Sequence, residues 1–162
     1  PGSKATVADL MWLRERGWPT RSSRTHPRAA RYWASAAAFR CWGHRIGDTV
    51  ETRSGDVAGL GLLDLDVDFA PEKVLRHWQS PLSGYEIHHG RVSRCGEDGW
   101  FDADGSAQGY VRGAVFGTHW HGLLDNDEFR RDWLTTAAAV RRTIRFRGCG
   151  RHPGARPPGC PA

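Results

Sequence analysis

A chain of 162 residues with 39% hydrophobic content is long enough for one domain with a core of its own. It holds no run of about 18 apolar residues and no basic, apolar, small-residue leader, so no membrane span and no secretory signal is expected, and the expected location is cytoplasmic. The net charge of +5 would suggest a nucleic-acid partner if it were spread over the surface, but it is concentrated in two segments.

Residues 18–42 carry five arginines (Arg21, Arg24, Arg28, Arg31, Arg40) and residues 141–162 carry six (Arg141, Arg142, Arg145, Arg147, Arg151, Arg156), with no acidic residue in either stretch. Those eleven are nearly half of the 23 basic residues, and without them the 18 acidic residues are in excess. The body of the chain is acidic, and no nucleic-acid module accompanies the arginines. Cys41, Cys95, Cys149 and Cys160 form no Cys-x-x-Cys pair, which speaks against a zinc knuckle or a disulfide framework. The chain opens at Pro1 and not at methionine, and is read as a fragment.

In chain order, residues 6–16 follow a Pro-Gly-Ser-Lys turn and place Val7, Leu10 and Met11 at helical spacing before Gly17, which predicts a short amphipathic helix. Residues 18–42 follow neither the helical nor the strand period, and they are expected to be disordered or an irregular helix. Residues 60–69 alternate, with Leu63, Leu65, Val67 and Phe69 on one side and Asp64, Asp66 and Asp68 on the other, which predicts a half-buried strand. The aspartates do not form a calcium loop, because Phe69 and Leu75 stand where that loop needs Gly and Glu. They read as a solvated strand face.

Tyr85–Val92 and Val111–Phe116 read as two further strands, the second running into Gly117-Thr-His-Trp-His-Gly122. A helix is expected from Asp125, with Asp125 and Glu128 as a capping box and Phe129, Trp133, Ala137 and Val140 on one face. Residues 141–162 read as a basic Gly/Pro/Arg tail that cannot bury enough surface to fold. The pattern as a whole is α/β, one domain over residues 1–140.

Glu86, His88 and His89, together with His119 and His121, form the densest set of reactive side chains. His119 and His121 with His88 or Glu86 could ligate zinc or iron. Alternatively, one histidine could act as general base for a nucleophile elsewhere. The simplest account is that most of them fill polar strand faces, and composition alone favours it.

Four blocks in fixed order carry a resemblance: Pro1-Gly-Ser-Lys-Ala-Thr-Val-Ala-Asp-Leu10, Gly59-Leu-Gly-Leu-Leu-Asp64, Gly84-Tyr-Glu-Ile-His-His-Gly-Arg91 and Gly117-Thr-His-Trp-His-Gly-Leu-Leu-Asp-Asn-Asp-Glu-Phe-Arg-Arg131. Over residues 1–17 and 43 to about 140, the chain resembles the glutamine amidotransferase domain of the cobyric acid synthase family. The resemblance implies a class I glutamine amidotransferase-like α/β sandwich, partly disrupted at residues 18–42. It also implies a cysteine on a strand-to-helix turn that attacks the glutamine amide and releases ammonia.

By the same resemblance, His121 is the catalytic histidine and His119 has no catalytic role. Gly2 and Ser3 belong to the oxyanion loop, Glu86 and His88 support the site, and no metal is bound. The family's whole enzyme amidates carboxylates of adenosylcobyrinic acid a,c-diamide with ATP. The resemblance therefore implies glutamine as substrate, a corrinoid reached through a synthetase domain, and ATP and magnesium only in that other domain. No Gly-x-x-x-x-Gly-Lys-[Ser/Thr] occurs here. The alternatives are a His-based metal-binding protein or an amidotransferase for another carboxylate.

The family's cysteine lies in a Gly-Ile-Cys-Gly-Gly-Phe-Gln-Met-Leu stretch just before the segment that begins here at Gly43, and an ungapped count puts it at Ala36. Cys41, five residues on, falls on the following helix and cannot replace it. The genetic code suggests why the cysteine is missing. If residues 18–42 are read one nucleotide out of register, Trp33 after Tyr32 must encode Leu, Ala34 after Trp33 Gly, Trp42 after Cys41 Leu, and Pro19 after Trp18 Ala. All four agree with the family pattern, and residues 29–42 can be read without a stop as Gly-Gly-Pro-Val-Leu-Gly-Ile-Cys-Gly-Gly-Phe-Gln-Met-Leu. Two compensating frame errors, near residues 17 and 43, and a third near 141 are the expectation, with an inactive domain as the product.

Overall fold

A computed structural model describes residues 3–17, 31–79 and 82–142. Helix α1 (Thr6–Glu15) is followed by strand β1 (Tyr32–Ser35) and helix α2 (Ala36–Cys41). Then come β2 (Arg45–Asp48), β3 (Gly55–Ala58), β4 (Leu65–Trp78) and β5 (Gly84–Cys95). Five short strands follow: β6 (Asp98–Gly99), β7 (Asp102–Ala103), β8 (Ser106–Ala107), β9 (Gly109–Arg112) and β10 (Val115–Thr118). A 3-10 turn (Leu123–Asp125) leads into α3 (Asp127–Arg142). The architecture is the mixed α/β one that the sequence pattern implied.

One sheet runs β1-β10-β9-β6 and another β3-β2-β4-β5, with β7 and β8 a separate pair. The long antiparallel pair β4–β5 shifts register between Phe69 and Val74, around Pro71, where a residue without an N–H cannot serve the ladder. Leu63, Leu65, Val67 and Phe69 are buried as expected, although the strand begins at Leu65 and not at residue 60. On the opposite face, Asp66 and Asp68 are paired with Arg94 and Arg45, and Asp64 in the preceding loop is paired with Arg94. These aspartates form an ion-pair ladder and are not merely solvated.

The sequence expectation for residues 18–42 is corrected where it can be compared. Residues 18–30 and the tail from residue 143 lie outside the described residues. Residues 32–41 form a regular strand and helix, with β1 parallel to β10 through Trp33↔Phe116 and Ala34↔Gly117. The strand works because its alternate residues satisfy different cores. Ala34 and Tyr32 pack into a cluster with Leu10, Phe39, Ile46, Leu63, Leu65 and Val67. Trp33 points the other way, edge-on to Trp100, Phe129 and Trp133. A parallel strand needs apolar contacts on both faces, and small plus aromatic residues supply them here without the β-branched run expected of a buried strand.

Helix α2 lies directly on β10, and Gly117 makes that possible: a β-carbon there would overlap the Phe39 ring and Leu63. Three other expectations are adjusted. Met11 is exposed, so the inward stripe of α1 is Val7 and Leu10. Residues 111–116 are not one strand but two, joined at Gly113 with φ +57°. Helix α3 starts at Asp127, which leaves Asp125 in the 3-10 turn and not at the cap. Phe129 and Trp133 do face inward, while the side chain of Val140 is outside the described set.

Candidate active site

The junction of β1 and α2 is one of three described places where a non-glycine residue takes a positive φ, with Arg53 and Asp104 the others. Ser35 is extended, with φ −120° and ψ 157°, and Ala36 then turns to φ +53°, the left-handed region that costs a residue with a β-carbon roughly 1 kcal/mol. A strained residue between a strand and a helix projects its side chain at the mouth of the sheet. Serine and cysteine nucleophiles sit in such an elbow. Here the apex is a methyl group.

Ala36 lines a cleft of about 650 Å³ with His121, Ser3, Lys4, Arg40 and Glu51, and with Lys73, Ile87, His88 and His89 from the β4–β5 arm. His121 is fixed by its backbone and by its ring. Its N–H donates to the Tyr85 carbonyl at 2.8 Å, the Tyr85 N–H donates back at 3.1 Å, and the two rings stack 4.8 Å apart. Gly84 allows the close approach, since a β-carbon there would press on the His121 carbonyl at 2.8 Å. Partial burial pushes the His121 imidazole below its ordinary pKa, and Arg40 and His88 act in the same direction. The neutral, proton-accepting ring is therefore favoured near neutral pH.

Ser3 lies at the cleft, with its Oγ accepting from the Ala5 N–H at 2.9 Å; Gly2 falls outside the described residues. Arg40 is buried, and burial holds its guanidinium below the usual range. Its Nε and Nη2 donate to Thr6 Oγ1, and Glu51 Oε2 accepts from the Thr6 N–H and hydroxyl, so one network joins α2, the start of α1 and the 48–52 turn. Asp48 holds that turn. Burial raises its pKa, but hydrogen bonds from Val50, Glu51 and Thr52 outweigh this and keep the carboxylate ionised below its normal range. Sequence reasoning missed Lys4, Arg40, Glu51 and Lys73, because nothing in their local pattern announces a cleft assembled from six separate segments.

Cys41 ends α2, buried, with its Sγ 3.7 Å from the Thr6 carbonyl. Burial pushes its thiol up to about 11, which suits an inert core thiol and not a nucleophile. The histidines do not group as the sequence suggested. Buried Glu86, His88 and His119 come together, and His121 is not among them, although it shares the first cleft with His88. His119 makes a T-shaped contact with Phe39, ring centroids 4.8 Å apart, and stacks on His88 with centroids 3.9 Å apart, and burial lowers its pKa well below the ordinary value.

Residues 1–129 match the CobB/CobQ-like glutamine amidotransferase domain family. The chain is 62% identical over 147 residues to a cobyric acid synthase of Mycolicibacterium paratuberculosis, covering 89% of this chain and 29% of the relative. A cobyric acid synthase of Mycolicibacterium smegmatis is 56% identical over 141 residues (86% of this chain, 27% of the relative). One of Rhodococcus jostii is 49% identical over 144 residues (85% and 28%). The chain thus spans less than a third of the length of these relatives.

Proposed function

Because the chain belongs to the family of CobB/CobQ-like glutamine amidotransferase domains and corresponds to the glutamine amidotransferase part of cobyric acid synthase, we propose that the cleft at Ala36 and His121 is its glutamine site, retained without a nucleophile. The observation that carries this reading is Ala36 at φ +53° on a strand-to-helix turn, in one cleft with a histidine whose neutral form is favoured.

With a thiol at position 36, neutral His121 would take its proton. The thiolate would add to the glutamine amide carbon, ammonia would leave with a proton returned by His121, and water would cleave the thioester to glutamate. Ser3, with Gly2, belongs to the loop that faces the oxyanion, and Glu86 and His88 support the wall beside His121. With alanine at 36 the first step has no nucleophile, and the chain is inactive as a glutaminase. The frame error deduced from residues 18–42 accounts for that alanine. Ala34, Ala36 and Phe39 are all buried at this turn.

The same reading places the corrinoid substrate, ATP and magnesium in the part of the relatives that this chain does not span, and it assigns no role to nucleic acid or membrane. No helix among the described residues is long and apolar enough to cross a membrane, and the proposed location is the cytoplasm. The test is a pair of measurements on the purified chain. Glutamine is expected to bind by calorimetry while ammonia release stays at the blank level. Ammonia release above the blank would refute inactivity, and absence of any glutamine binding by the folded chain would refute the site.

A further inference from the structure

Glu86 and His88 occupy alternate, inward positions of β5, and His119 meets them from the segment after β10. One donor atom from each lies within 4.8 Å of the other two. His88 Nδ1 lies 2.6 Å from the Gly90 carbonyl, which can only accept, so Nδ1 carries the hydrogen and the neutral ring has its lone pair on Nε2. That lone pair faces Glu86 Oε1 at 3.2 Å. Two acceptors at this distance need a positive centre between them, either a proton or a cation.

Three further details favour a cation. Trp78 Nε1 donates to the other carboxylate oxygen at 3.1 Å, and the Gly90 carbonyl orients His88, so two of the donors are held from behind as metal ligands commonly are. His119 Nε2 is buried and meets no hydrogen-bond partner among the described residues, a costly state for a ring nitrogen. A second cleft of about 260 Å³ reaches all three side chains, with Arg76, Gln108 and Tyr110 also on its walls. It supplies an entry path and room for a water ligand.

We propose that Glu86, His88 and His119 bind one divalent cation of the zinc class, through a carboxylate oxygen and two imidazole nitrogens. Such a donor set suits zinc. Because His88 and His119 are stacked, ligation requires the His119 ring to turn until its Nε2 converges with the other two donors. The cation would tie β5 to the segment that carries His121 two residues later. The proposal needs no nucleophile and stands independently of the glutaminase reading.

The test uses the untagged chain, loaded with zinc and dialysed against metal-free buffer, with its fold checked by circular dichroism. About one zinc per chain is expected, together with a zinc-dependent rise in Tm and the visible absorption of a low-symmetry site after exchange with cobalt. His119→Phe keeps the aromatic stack and Glu86→Gln keeps the shape, and each is expected to lose the metal. Trp78→Phe removes the donor behind Glu86 together with part of the stack on Trp120, and is expected to weaken zinc binding about tenfold or more in a chain that still folds. A folded chain that retains no zinc and shows no Tm shift would overturn the proposal and leave a shared proton in the Glu86–His88 pair. Undiminished retention by His119→Phe would also overturn it, by assigning the metal to other donors such as the exposed Cys95.

Discussion

Ala36 and His121 line one cleft, the first at the apex of a strand-to-helix turn with φ +53°, the second with a ring stacked on Tyr85 and a pKa lowered by burial. In the proposed glutamine site this pair would supply the strained turn and the base, and Ala36 has no sulfur to act as nucleophile.

Ala36→Cys is therefore expected to create glutamine hydrolysis, read as ammonia release and as a glutamyl adduct on residue 36 by mass spectrometry. Adding His121→Ala is expected to lower that rate by about 10²–10⁴-fold, the range for loss of a general base. Since His121 titrates below its ordinary value, the rate should hold as pH falls to the mid-sixes and decline only below that. A variant that binds glutamine but forms no adduct would show that residue 36 is not the nucleophile position.

Ala36→Gly separates strain from chemistry. Glycine relieves a positive φ worth roughly 1 kcal/mol and adds a comparable chain-entropy cost, so stability should be unchanged or slightly raised. Ala38→Gly, two residues on within α2, has no strain to relieve and should lose about 1 kcal/mol. Urea denaturation compares the two, and equal losses would contradict the strained turn.

His119 makes the fold sensitive to acid. Its folded pKa is lowered, so below the ordinary histidine value the unfolded chain binds a proton that the folded chain refuses. Its contribution is complete above about pH 7 and should be lost as pH falls through 6.5, at up to about 1.4 kcal/mol per pH unit. His119→Phe should flatten that slope between pH 6.5 and 5, measured by chemical denaturation in the presence of a chelator. A slope that persists would place the sensitivity elsewhere.

Gly117→Ala tests the packing of α2 on β10. The added methyl would strike Phe39 and Leu63, and the expected loss is about 1–3 kcal/mol in thermal or urea unfolding. Phe39→Leu in the same chain makes room and should recover part of it, a coupling that independent sites would not show.

Much of the fold was legible because its signals are local. The alternation of Leu63, Leu65, Val67 and Phe69, the helical spacing of Val7 and Leu10, and the inward Phe129 and Trp133 all depend on periodicity within one element. The hairpin at Gly113 was missed because the apolar residues on either side of it read as one run. The strand at residues 32–35 was missed for a deeper reason. Ala34 and Trp33 carry no strand pattern, and they are strand residues only because two different cores lie on either side of them.

By itself the sequence determined which family the four ordered motifs resemble, that position 36 holds alanine, and that His121 follows Trp120 at the head of a loop, since these depend only on residue identity and order. Tertiary structure decided the rest. It bent Ala36 to a positive φ and set it in a cleft with His121, detached His119 to join Glu86 and His88, and made Cys41 a core thiol. Each of these is a matter of which distant segments meet, and segments meet according to the apolar surface they can bury together, which no stretch of chain specifies alone.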